Sequence, residues 1–200
     1  MFGDMGKYTV LSDVSRALVD LLRDEMVPEP IAKPEQIGIC GLQERGSFVV
    51  GLTLYNFQEN GENRRNDFIE LPDGRRQKPP VEYSASYLLT IVSKAEPDSR
   101  GMDEQRIMGR TLQVLQDNRR MPPRFLSDAL REHNEAFTIE VSQMSMEDKM
   151  KIWNMLNEPY KLCCFFDVRP ILMESTVILP APKRVTEVTL ESKQIPQNGK

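Results

Sequence analysis

Residues 83–92 read YSASYLLTIV. Side chains along a strand point alternately to its two faces, so Tyr83, Ala85, Tyr87, Leu89 and Ile91 share one face. The other face holds Ser84, Ser86, Leu88, Thr90 and Val92. A strand with one fully apolar face, and Leu and Val on the second, belongs in a sheet covered at least partly on both sides.

Upstream, SFVVGLTLYNF (Ser47 to Phe57) is rich in β-branched and aromatic residues, and Ile37 and Ile39 alternate in QIGIC, so both runs read as strands. Gly51 inside the first of these marks a bulge or a close backbone approach. Downstream, Phe137, Ile139 and Val141 alternate with Thr138, Glu140 and Ser142, the pattern of a half-buried strand. Lys161 to Met173 is a long final strand, kinked where Pro170 removes a ladder donor.

Helices separate these strands. Ser12 is placed to cap a first helix, in which Val14, Ala17, Leu18, Leu21, Leu22 and Met26 fall on one face before Pro28 and Pro30 stop it. A second helix is expected over 102–117, with Ile107, Met108, Thr111, Leu112 and Leu115 as its apolar stripe. Pro122-Pro123 turns the chain, and Phe125 to Arg131 forms a short helix. Ser145 to Asp148 outlines a capping box with Asp at its end. The helix it opens aligns Met146, Met150, Trp153 and Leu156, with Met150 and Trp153 assigned to the core and Met144 and Met146 left open between core and interface. This order predicts an α+β fold: an antiparallel or mixed sheet flanked by about three helices.

Two segments stand outside that core. Residues 58–80 contain Asn60-Gly61, Asp73-Gly74 and Pro79-Pro80, all turn chemistry, and a connection of this length usually does a job or is mobile. After Thr176 the apolar signal fades, although VTEVTLES (residues 185–192) still alternates like a strand, with no obvious partner in its own chain. The expected organisation is therefore a domain over 1–176, with 58–80 as an insertion, and a C-terminal arm over 177–200.

Composition narrows the class. The 200 residues include 26 basic and 30 acidic ones, a net charge of −4. That balance lacks the concentrated positive footprint of a nucleic-acid binder, apart from the local group Arg64, Arg65, Arg75 and Arg76. No apolar run approaches the roughly 20 residues of a membrane span, and the N-terminus has no signal-peptide pattern. The cysteines Cys40, Cys163 and Cys164 have neither the spacing of a zinc site nor that of a disulfide framework. They read as buried thiols suited to a reducing compartment, with Cys163 and Cys164 on opposite faces of a strand.

Residues for catalysis are few. The single histidine, His133, lies in the polar stretch REHNE with Glu132 and Glu135, without a second histidine or a nucleophile motif. The carboxylates are scattered, and the glycines form no phosphate-binding loop. No catalytic, cofactor-binding or metal-ligating residue is assigned.

Three stretches in order carry a family resemblance: YTVLSDVSRALVDLLRDEM at the start; LTLYNFQEN, then PPVEYSASYLLTIVSKAEPDSRGMDEQRIMGRTLQVLQDN, in the middle; and MSMEDKMKIWNMLNEPYKLCCFFDVRPILMES at the end. With these stretches, covering roughly 8 to 176, the chain resembles the tail-terminator, or cap, proteins of contractile phage-tail-like injection systems. Cys163-Cys164 departs from the small polar residues expected there, a structural difference. The resemblance implies a structural subunit without cofactor or catalytic residue. It implies a ring, usually a hexamer, at the baseplate-distal end, which stops tube and sheath polymerisation and ties the two together. Its implied partners are copies of itself, sheath subunits and inner-tube subunits, with assembly in the bacterial cytoplasm and possible release of the particle. A neck or baseplate adaptor of the same particle and a small cytosolic enzyme are the alternatives. Arg64, Arg65, Arg75 and Arg76, with Val185, Val188 and Leu190 of the arm, are the candidate interface residues.

Overall fold

The computed structural model describes residues 8–44, 46–61, 67–133 and 137–181. It begins with helix α1 (Val10–Met26), one turn earlier than a Ser12 cap would allow. Asp13 N–H donates to Thr9 O at 2.9 Å, and the Thr9 hydroxyl donates to the Asp13 carboxylate at 3.0 Å. Ser12 lies inside the first turn, its hydroxyl donating to Thr9 O. Val10 is the reason: it extends the buried stripe of Val14, Ala17, Leu18, Leu21, Leu22 and Met26 by one turn.

A five-stranded mixed sheet follows, built from β1 (Ile37–Ile39), β2 (Val50–Glu59), β5 (Val81–Ile91), β6 (Thr138–Val141) and β7 (Cys163–Met173). Its spatial order is β1-β2-β5-β7-β6. β1 runs parallel to β2, and every other pairing is antiparallel. α2 (Pro97–Asp117), a short α3 (Asp128–His133) and α4 (Met146–Met155) complete the helices.

Both faces of the sheet are covered, as the composition of β5 predicts. Ala85, Tyr87, Leu89 and Ile91 join Val50, Leu52, Ile139, Phe166 and Val168 in a core with α1 and α2. Leu88, on the opposite face, packs with Phe165, Trp153 and Leu156 under α4. Cys164 and Cys163 divide in the same way, Cys164 in the larger core and Cys163 beside the smaller one.

Two bulges adjust the strands. Leu54 pairs with Tyr87 and Asn56 with Ser86, so Tyr55 is an extra residue in β2. The bulge re-aims the side chains beyond it. Tyr55 sits edge-on to Phe165 at 5.6 Å, while Phe57 turns to the larger core and stacks on Tyr83 at 4.4 Å. The second bulge is the expected kink: Tyr83 pairs with Ile171 and Ala85 with Val168, leaving β7 one residue longer around Arg169-Pro170. Gly51 is a close approach and not a bulge. A Cβ built there would lie 2.7 Å from Cys40 Sγ and 3.2 Å from Thr90 Oγ1.

Some helix expectations are corrected. Val114 is buried on α2 where Leu112 was expected, and Leu112 is 39% exposed, because the buried stripe centres on Thr111 and Leu112 lies on its flank, about 100° round the helix. Met150 is 38% exposed and Met146 more so, since α4 buries Trp153 alone within its length. Val141 ends β6 half exposed beyond the cover of α2. Ser145 does cap α4, accepting from Asp148 N–H at 3.1 Å.

Candidate assembly surfaces

The described residues of the 58–80 segment, 58–61 and 67–80, hold more regular structure than their turn chemistry alone implies. β2 continues to Glu59, and a hairpin of β3 (Ile69–Glu70) and β4 (Arg76–Gln77) follows. The hairpin turns at Asp73-Gly74, with Gly74 at φ 80°, a left-handed conformation suited to glycine. Leu71 N–H donates to Arg75 O at 2.8 Å, and Asp73 accepts from Arg75 N–H at 3.0 Å. These bonds from Arg75 hold the exposed Asp73 carboxyl below its usual pKa.

The segment after Thr176 meets this hairpin. β8 (Ile178–Leu179) pairs antiparallel with β4, Arg76 opposite Leu179 and Gln77 opposite Ile178. The Gln77 amide also donates to Ser175 O at 2.6 Å. The chain entering β5 and the chain leaving β7 therefore form two successive antiparallel ladders, one in the main sheet and one in a three-stranded sheet β3-β4-β8. The described parts of both outlying segments named from sequence thus meet in this small sheet.

The candidate arginines are distributed unevenly around it. Arg75 is tied into its own turn, its guanidinium 2.6 Å from the Asp73 carboxylate. Arg76 lies in β4, its guanidinium 5.7 Å from the Phe68 ring centroid. Arg64 and Arg65 lie outside the described residues, as do Val185, Val188 and Leu190. The exposed apolar groups Phe68, Ile69, Val177 and Ile178 belong to the same element. An apolar projection of this kind suits contact with another chain better than an isolated basic loop does.

One polar group on the sheet has no counterpart in the sequence reading. Asp167 accepts from Ser86 and from Ser142, both at 2.6 Å. Burial, and next the Asp167 charge, raise the pKa of the nearby Tyr55 hydroxyl, while its bond with Ser86 opposes the rise. Both carboxylate oxygens are engaged by hydroxyls, so the group serves as a cross-strand tie between β5, β6 and β7. The register of β5 against β7 places Ser86 opposite Asp167, and that register is not visible in composition alone. The side chain of His133 lies outside the described residues. Among the described residues no cluster of three His, Cys, Asp or Glu is placed to hold a metal, and no helix is long and apolar enough to cross a membrane.

The fold has counterparts among solved structures. The chain is similar to the sheath/tube terminator of an extracellular contractile injection system, PVC, in its extended state, at 19% identity and TM-score 0.61 over 94% of this chain. It is similar at 17% identity and TM-score 0.62, again over 94% of its length, to the tube-terminating cap of the anti-feeding prophage. The chain spans 65% of the first structure and 63% of the second, so each of those proteins carries further sequence. No curated protein matches the sequence. The model of the Pvc16 N-terminal domain matches residues 13–187, nearly the whole chain, and the protein therefore belongs to the Pvc16 N-terminal domain family.

Proposed function

We propose that this protein is the cap, or tail terminator, of a contractile injection particle. It closes into a ring, a hexamer by the resemblance, at the baseplate-distal end, where it ends tube and sheath growth and links the two. The observation that carries the reading is the likeness over 94% of the chain to two terminators, together with the family match. The chain assembles in the bacterial cytoplasm and leaves as part of an extracellular particle. Its role is structural and involves no cofactor.

In this reading the domain over 1–176 provides the ring body. The projecting hairpin and the arm over 177–200 reach the sheath or tube, with Arg64, Arg65, Arg75 and Arg76 facing an acidic rim and Val185, Val188 and Leu190 adding to a neighbouring sheet edge. A closed ring needs head-to-tail contacts that repeat around an axis. Exposed charges contribute about 0–1 kcal/mol each, so the arginines set register more than affinity.

Negative-stain imaging of the purified chain tests the ring: closed rings support the reading, and monomers at high concentration oppose it. Removing residues 182–200 is expected to leave a folded monomer, because β8 ends at Leu179, and to weaken ring or sheath binding. Unchanged assembly would remove the arm from the account. Charge reversal at Arg64, Arg65, Arg75 and Arg76 with normal particle length and capping would remove the arginines.

A further inference from the structure

Two exposed features sit at opposite ends of α2, and no contact inside the chain accounts for either. At the C-terminal end, Leu115, Gln116, Arg119, Ile139 and Val141 line a groove of about 250 Å³ between the helix and β6. Leu115 and Ile139 are buried and form its floor, while Val141 stands half exposed at its side. The Arg119 carbonyl accepts from Ile139 N–H at 2.6 Å, which fixes the backbone of Arg119 beside the groove. Arg119 and Arg120 are exposed and form no ion pair among the described residues, and Asp117, the nearest carboxylate in sequence, pairs with neither. At the N-terminal end, Met102 is 69% exposed, more than any other large apolar side chain described except Tyr8. Asp98 lies one turn earlier on the same face, exposed and without an ion pair among the described residues. Glu96, at the N-cap, adds a second such acid. The other charges nearby are engaged: Asp103 and Glu104 accept from Ser93, Arg100 donates to Ala95 O, and Arg106 pairs with Glu29 at 3.0 Å. An acid in a first turn favours its own helix, but that gives no reason to expose Met102.

We propose that the turn carrying Asp98 and Met102 in one copy docks in the α2–β6 groove of the next copy, with Met102 between Val141 and Leu115 and Asp98 against Arg119 and Arg120. The proposal rests on the reading above that copies of this chain close into a ring, and adds which surfaces meet. Charge selects the occupant, since the groove rim is basic and unpaired and the Met102 turn is acidic and unpaired. Methionine is unbranched and adapts to an irregular apolar slot. Other exposed apolar groups with acids beside them fit less well. Glu147 and Asp148, next to Met146, are paired with Lys151. Asp67 and Glu70 flank Phe68 and Ile69, where Arg76 already supplies a cation. Leu42, with Glu44, is the remaining rival and enters the test.

The helix itself decides between the chain's own groove and a neighbour's. From Met102 to Leu115 α2 rises about 20 Å, at about 1.5 Å per residue, so a chain cannot fill its own groove. The two patches are also different surfaces. Contact between them is therefore head-to-tail, the kind that closes a ring or extends a filament, and not the two-fold kind that stops at a dimer.

The test uses full-length chain with Cys163→Ser to remove the half-buried thiol. Met102→Cys and Val141→Cys are combined in one chain and oxidised, beside each single variant and a Leu42→Cys/Val141→Cys chain. The expected result is a ladder of covalent oligomers from Met102→Cys/Val141→Cys that ends at the ring size, with monomers from each single variant. A ladder from the Leu42→Cys chain in its place, or a covalent dimer of either single variant, overturns the pairing. Charge is tested separately. Arg119→Asp and Asp98→Arg should each weaken self-association at least tenfold by sedimentation while the chain stays folded by circular dichroism. Both changes in one chain should recover most of that loss, because every contact then holds the reversed pair; no recovery overturns the assignment of Asp98 to Arg119. Closed rings in negative stain that give no ladder overturn the docking while leaving the cap reading intact. A ladder without closed rings keeps the docking and counts against the ring. Preparations with neither count against both.

Discussion

Replacing Trp153 with alanine examines how the outer layer is held. α4 spans Met146–Met155, and Trp153 is its one buried residue, at 1% exposure. Its ring packs with Leu88, Phe165 and Leu156 against the face of β5 and β7. An indole buries roughly 200 Å², which at about 25 cal/mol per Å² gives a ceiling near 5 kcal/mol. Measured Trp-to-Ala losses in cores run about 3–5 kcal/mol. Trp153→Ala should therefore cost about 4 kcal/mol. The substitution removes the chain's single tryptophan, so urea unfolding must be followed by far-UV circular dichroism. Met155→Ala, on the same helix but 63% exposed, should stay within about 0.5 kcal/mol of the parent. A Trp153→Ala loss below about 1 kcal/mol would refute the claim that this one side chain anchors α4.

Two further outcomes follow from packing and titration. Gly51→Ala should destabilise by about 1–3 kcal/mol in urea unfolding, because its Cβ meets Cys40 Sγ at 2.7 Å, and adding Cys40→Ala should recover part of that loss. Alkaline pH should also weaken the fold. Burial pushes the Cys164 thiol from 9.0 to about 11, with the Cys163 charge adding to the rise and Lys149 opposing it. Burial also pushes the Tyr87 hydroxyl from 10.0 to about 12 against its bond with Ser15. Both groups are held protonated in the fold, so their contribution is complete below about pH 9. It is lost between pH 9 and 11 for Cys164 and between pH 10 and 12 for Tyr87. Each loss is at most about 3 kcal/mol. In stability measured across that range, Tyr87→Phe should flatten the upper limb; an unchanged slope would contradict the assignment.

Much of this fold was legible because strand and helix periods are set by which faces are buried. The alternation in residues 83–92 predicted a sheet covered on both sides, and Leu88 does belong to a second core. Proline chemistry marked the β7 kink, and Ser145 marked the start of α4. The errors have a common physical source. Leu112 and Met150 have helical spacing for burial but lie beyond the surface that their partners cover, and a single strand's pattern does not state where that surface ends. Tyr55 re-aims Phe57 through a one-residue bulge that a strict period of two does not contain. The projecting sheet was half legible. The turn at Asp73-Gly74 and the change at Thr176 were visible separately, but their pairing through β4 and β8 joins residues about a hundred positions apart. The Asp167 tie is non-local in the same way.

The most direct measurement of the central claim is particle length, imaged by electron microscopy in cells that make the whole injection system with and without this chain. If the protein is the cap, omitting it should give tubes and sheaths of uncontrolled length whose baseplate-distal ends lack a terminal ring, and restoring it should return a single length. Particles of normal length with an intact distal ring in its absence would contradict the account.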